Sequence, residues 1–174
     1  SSDPGRDASR SSTESGPRDV SPGKLPATSS TATSRPTSEL PPPAPTSITA
    51  SRTAGPGIDS RSNEVRYDAL NLLDGEASSA WRVDGDGVGV TITITLRQRS
   101  LIREVGLLPG YAKVDPFDGT DRWTQNRRPL AIEWTFEDGT VEQQELSDAP
   151  RTQTMPVSAT TRVVVVRILS VTEL

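Results

Sequence analysis

Nine residues, Val88-Gly-Val-Thr-Ile-Thr-Ile-Thr-Leu96, alternate strictly between a large aliphatic side chain and a glycine or threonine. Val88, Val90, Ile92, Ile94 and Leu96 fall on one face; Gly89, Thr91, Thr93 and Thr95 fall on the other. A period of two built from β-branched residues is the pattern of a strand with one face buried and one wet. It commits this part of the chain to a sheet that needs a partner layer. Pro129–Phe136 repeats the pattern, with Leu130, Ile132, Trp134 and Phe136 inward. Glu137-Asp-Gly-Thr140 follows, and Asp-Gly favours a tight hairpin because both residues tolerate positive φ. Val141–Leu146 is then the returning strand.

Further strands are expected at 101–110 and 162–171. The second is apolar on both faces over Val163–Val166, as a central strand is. Residues 152–157 form a weaker strand and 60–66 a candidate first strand. Only Tyr67–Gly75 reads as helical, briefly, and Asp74-Gly75 stops it. Short strands between Gly, Pro and Asp turns describe a β-sandwich or jelly roll of about 115 residues.

The rest of the chain is different in kind. No aromatic residue precedes Tyr67, and nine of the fifteen prolines precede residue 50. Residues 1–57 are dominated by Ser, Thr, Pro, Ala and Gly. Such a segment buries too little apolar area to offset backbone ordering, about 1–2 kcal/mol per residue. It reads as a disordered linker, 1–57, ahead of a folded domain, 58–174. An O-glycosylated stalk or a Pro-rich ligand is the sharper alternative. A linker implies something to be tethered to, and the simplest candidate is a membrane anchor upstream. The chain starts inside the low-complexity stretch and without Met, as a piece of a larger protein does. No run of roughly 18–20 apolar residues is present, the length a membrane span requires.

Neither Cys nor His occurs. That excludes disulfides, thiol nucleophiles, Cys/His zinc sites and imidazole acid–base catalysis. Residues 58–174 carry thirteen basic and eighteen acidic side chains, which argues against nucleic acid as a partner. No carboxylate spacing marks a glycosidase pair. The chain does not read as an enzyme.

Several segments in order resemble a known family. Asn71-Leu-Leu-Asp-Gly-Glu-Ala-Ser-Ser-Ala-Trp81 is similar to the N-x-x-D-G-x-x-x-T-x-W segment of discoidin-like, or F5/8 type C, domains. Gly87–Leu96 resembles that family's G-x-G-x-x-I-x-L strand. Gly110-Tyr-Ala-Lys113 and Trp123–Gly139 look like its NADase-type glycan-binding branch, and Thr160–Glu173 matches the closing strand. The resemblance covers residues 58–174. This chain departs from the pattern with Ser79-Ala80 ahead of the tryptophan and with Pro129 where a basic residue is usual.

The resemblance implies a discoidin-like, galactose-binding-like jelly-roll β-sandwich. It also implies a non-catalytic carbohydrate- or cell-envelope-binding module, extracytoplasmic, in a membrane-anchored actinobacterial protein. Its partner would be a glycan or envelope polymer. A protein-interaction or sensory ectodomain without glycan binding is the other class. The family further implies a structural calcium held by Asp74, the hydroxyl of Ser78 or Ser79, backbone carbonyls and Glu173, oxygen ligands that suit a hard cation. The residues alone give a plainer reading. Asn71 and Asp74 hold a tight loop by local hydrogen bonds, and Trp81 anchors the core with about 2–3 kcal/mol of burial. Arg82–Gly89 lacks both EF-hand and phosphate-loop spacing and reads as a turn.

The long connection 111–128 is the candidate ligand surface. A sugar site needs an aromatic face for the ring and polar groups for its hydroxyls. Tyr111, Phe117 and Trp123 offer faces; Lys113, Arg122, Asn126, Arg127 and Arg128 offer donors. The cations also suit a carboxylate or phosphate. Alternatively the loop caps one end of the sandwich, with Trp123 or Phe117 plugging the core. The direction in which the Trp123 ring points separates the two readings.

Overall fold

The structure is a computed structural model that describes residues 43–174. Most of the expected linker therefore lies outside the described residues.

Among the described residues there are seven strands: β1 Pro45–Ala50, β2 Gly57–Ile58, β3 Glu64–Val65, β4 Thr91–Leu107, β5 Pro129–Phe136, β6 Val141–Glu145 and β7 Gln153–Val171. The only helical element among the described residues is one 3-10 turn, Ala69–Leu72, in place of the short helix expected at 67–75. Five strands form an antiparallel sheet in the order β1-β4-β7-β5-β6, and β2 pairs with β3 in a small hairpin. As its apolar run requires, β7 lies centrally, between β4 and β5. The Asp138-Gly139 turn joins β5 to β6, with Gly139 at φ 90° and the Phe136 amide donating to the Thr140 carbonyl at 3.0 Å.

Two expected pairs of strands are each one long strand. Residues 91–107 run as a 17-residue β4, and 153–171 as a 19-residue β7. Their pairing shifts register between Thr95 and Ser100 and again between Ile102 and Glu104. Such irregularities bend a strand without ending it. The far arms therefore return to the same core: Ile102 and Ala159 cluster with Ile48, Ile92, Leu96, Ile132, Trp134, Phe136, Val164 and Val166. The second layer of the sandwich is mostly loop, and Ala69 and Trp81 pack from it against this core.

Two expectations need correction. The composition puts the start of the domain at Ile58, yet β1 pairs with β4 from Pro45 to Ala50 and buries Ile48. A single apolar residue among Ser, Thr and Pro hides this strand in the linker composition. It sits at the sheet edge, where Pro is tolerated. Val88 was placed inward but is exposed. Gly87 and Gly89 take φ 77° and 80°, the Val90 amide donates to the Gly87 carbonyl, and the strand begins only at Thr91. Among the described residues no helix is long and apolar enough to cross a membrane.

Candidate ligand-binding surface

The connection between β4 and β5 divides into an inner and an outer half. The inner half is scaffold. Trp123 is 9% exposed, and its indole N–H donates to Asp148 at 3.1 Å. The ring packs on Gly110, where an added Cβ would lie 2.7 Å from both Trp123 and Arg128. Arg128 is also buried. It donates to both carboxylate oxygens of Asp148, at 2.8 and 2.6 Å, and to the carbonyls of Trp123 and Asn126. That bidentate pair pulls the Asp148 carboxyl below its ordinary range and raises Arg128. Arg127 donates to the Thr172 carbonyl and Asn126 to the Arg122 carbonyl. Tyr111 is buried edge-on against Tyr67, with ring centroids 6.5 Å apart. Trp123, Tyr111 and Arg128 are thus buried, and the polar groups of Trp123 and Arg128 are spent on the protein itself.

The outer half is a tight excursion around Gly119, at φ 71°, closed by pairing of Val114 with Asp121. Asp115 is its pivot. Only 3% exposed, it accepts hydrogen bonds from the Phe117 amide, the Ser60 hydroxyl and Arg122. The Phe117 amide bond is the main reason its carboxyl lies below the ordinary range, with burial opposing. The Ser60 bond ties the loop to the β2–β3 hairpin. There Asp59 accepts from the backbone amides of Arg61 and Asn63 and from the Asn63 side chain.

These two turns present Phe117 to solvent, 55% exposed, with the Arg61 guanidinium carbon 3.4 Å from the ring centroid. Asp59, Ser60, Arg61, Asn63, Lys113, Asp115, Pro116 and Phe117 line an open cup of about 410 Å³. Of the eight ligand residues expected from sequence, Lys113 and Phe117 line the cup, and Arg122 braces it through Asp115. Asp59, Arg61 and Asn63 line it as well and lie outside the set expected from sequence. Their Asp-Ser-Arg-Ser-Asn run has the composition of a turn, but nothing local says which distant loop it meets.

A larger cleft of about 550 Å³ lies over the sheet, floored by Trp81, Ile92, Leu107, Ile132 and Val166. Tyr111 also lines it, and the Trp81 N–H is engaged by Thr53 at 3.2 Å. Its polar rim includes Asn126 and Arg127, already bonded within the protein.

Of the calcium ligands expected from sequence, Asp74 and Ser79 are bonded to each other within their own loop. Asp74 accepts from the Ser79 hydroxyl at 2.6 Å and from the Glu76 amide at 2.8 Å, and these bonds lower its carboxyl from the ordinary range. Ser78 is exposed, as is Glu173, which enters no hydrogen bond among those of the described residues. No group of three or more Asp or Glu among the described residues is placed to hold a metal. The loop is closed by its own hydrogen bonds, with Asn71 donating to the carbonyls of Arg66 and Ala80.

The long paired strands, the loop-built second layer and the cup at the loop end define a discoidin-like β-sandwich. Solved structures share it. A family 32 carbohydrate-binding module of NanJ from Clostridium perfringens, in complex with galactose, aligns at TM-score 0.52 and 9% identity, over 71% of this chain and 82% of that one. The family 32 module of AlyQ, in complex with 4,5-unsaturated mannuronic acid, aligns at 0.50 and 14%, over 75% and 88%. By sequence, the chain belongs to the NAD glycohydrolase translocation F5/8 type C domain family, whose model matches residues 47–173. No curated protein matches it.

Proposed function

We propose that this domain is a non-catalytic carbohydrate- or cell-envelope-binding module, and that the Phe117 cup is where it holds its ligand. The observation that carries the reading is Phe117 itself. An aromatic ring 55% exposed at the tip of a hydrogen-bonded loop contributes little to the core. Set beside Arg61, Lys113 and Asn63, it offers the face-plus-donor arrangement a saccharide uses. Family membership and the carbohydrate-binding modules that share the fold support the same reading. In it, Lys113 and Phe117 contact the ligand and Arg122 holds Asp115 in place. Tyr111, Trp123, Asn126, Arg127 and Arg128 set the loop's shape. The module acts outside the cytoplasm in a membrane-anchored protein, with residues ahead of β1 as its tether.

Phe117→Ala tests it. On a glycan array and in pull-down on insoluble cell wall, the variant loses retention by at least tenfold. Its unfolding midpoint stays within the range of surface substitutions, about 0.5 kcal/mol. Undiminished retention would move the site elsewhere.

A protein-interaction role is the second reading, favoured by Leu70, Leu72 and Leu73, which stand exposed together at the 3-10 turn. A protein partner that co-purifies with the wild type and is lost on Leu70→Ser, with no glycan retained, would select it.

A further inference from the structure

We infer that the Phe117 cup selects acidic saccharides, gripping a sugar-borne carboxylate between Arg61 and Lys113; this rests on the carbohydrate-binding reading above. The reasoning starts from which charges in the cup are already used. Asp59 is occupied by two amides and the Asn63 side chain. Asp115 is occupied by Ser60, the Phe117 amide and Arg122, with the Arg122 ion pair at 3.2 Å. Both carboxylates are therefore turned into the scaffold.

The two cations at the mouth are not. Neither Arg61 nor Lys113 enters any of the ion pairs found among the described residues, which belong to Arg66, Arg99, Arg122 and Arg128. Nor does either side chain donate one of their hydrogen bonds. The lining carries two cations against two carboxylates, and it is the carboxylates whose oxygens are already taken up by hydrogen bonds within the protein. Of the cations of the inner half, Arg128 is spent on Asp148 and loop carbonyls, and Arg127 lines the larger cleft and not the cup.

Arg61 is also pre-positioned. With its guanidinium carbon 3.4 Å from the Phe117 ring centroid, Arg61 is held at the cup by a cation–π contact, and a guanidinium carries its N–H donors as a planar fork. A fork of that kind pairs with a carboxylate through two parallel hydrogen bonds; a single hydroxyl accepts only part of it. Lys113, a point charge lining the same cup, adds attraction without demanding geometry. A neutral sugar would leave both cations partly desolvated and unpaired, which weakens it relative to an acidic one.

The matched probes are oligogalacturonides and their methyl esters, which differ in charge and not in ring. Calorimetric titration of the protein should give at least tenfold tighter binding for the free acid. That margin should shrink as salt rises. Arg61→Ala and Lys113→Ala should each lower affinity for the acid toward that of the ester, and Arg61→Lys should recover only part of it. Arg151→Ala, at an exposed cation outside the cup, should change nothing. Unchanged melting temperatures would show that all variants fold. Equal affinity for acid and ester overturns this inference and leaves the carbohydrate reading intact. Tighter binding of glycerol phosphate polymer than of the oligogalacturonide overturns the carboxylate assignment in favour of phosphate. Failure of both acid and ester, alongside a saccharide-negative array, removes the carbohydrate reading itself.

Discussion

At the scale of single residues, the two large aromatics of the 111–128 connection separate cleanly. Trp123 and Phe117 are hard to tell apart in sequence, each a single large ring in a polar loop that also carries arginines. The structure gives Trp123 a closed box: Gly110 beneath it, Arg128 beside it at 5.5 Å and Asp148 on its N–H. Phe117 receives only Arg61. What distinguishes them lies far along the chain, since Asp148 follows β6 and Arg61 lies in the β2–β3 hairpin. No local pattern could have assigned one ring to scaffold and the other to surface. The expected outcome for Trp123→Ala is a loss of about 3–5 kcal/mol in denaturant unfolding, the cost of truncating a buried aromatic. Removing the ring also leaves Asp148 one donor short. A change below about 1 kcal/mol would mean that the box is not formed in solution.

At the scale of elements, the alternation in 91–96 and 130–136, the Asp-Gly hairpin and the central position of Val163–Val166 were legible because each is a local pattern with a local cause. The merging of strands was not. Leu96–Arg99 breaks the alternation, which reads as a loop, whereas the partner strand β7 carries the pairing through as a register shift. The first strand was hidden for the opposite reason, since one buried residue is too little periodicity to detect. The structure makes Ile48 part of the main core cluster, and the Ser51 amide donates to the Thr91 carbonyl. A chain starting at Ile58 should therefore lose about 2–5 kcal/mol for the missing isoleucine contact alone. It should also aggregate more readily, because β4 becomes an open edge. A chain starting at residue 43 keeps the strand and is the control. Equal urea midpoints for the two would show that β1 is dispensable.

For the whole molecule, stability against pH follows from its carboxylates and from having no histidine. Asp59, Asp74, Asp115, Asp138 and Asp148 all titrate below the ordinary carboxylate value, each because hydrogen bonds favour its ionised form. A carboxyl whose folded pKa is depressed stabilises the fold fully above its unfolded pKa, about 4. It loses that contribution as pH falls through the folded value. With no side chain of ordinary pKa near 6.5 present, the stability curve should be flat from pH 6 to 8 and fall on the acid side, steeply below about pH 4. Asp148 provides the internal comparison, since its shift comes first from Arg128. Asp148→Asn should be less stable than wild type at pH 7, because buried Arg128 loses its counter-charge. It should also show a shallower acid limb, so that the two curves converge toward pH 2. Denaturant midpoints measured across pH 2–8 decide it. Parallel acid limbs would mean that the Arg128–Asp148 pair is not what holds the inner half of the loop.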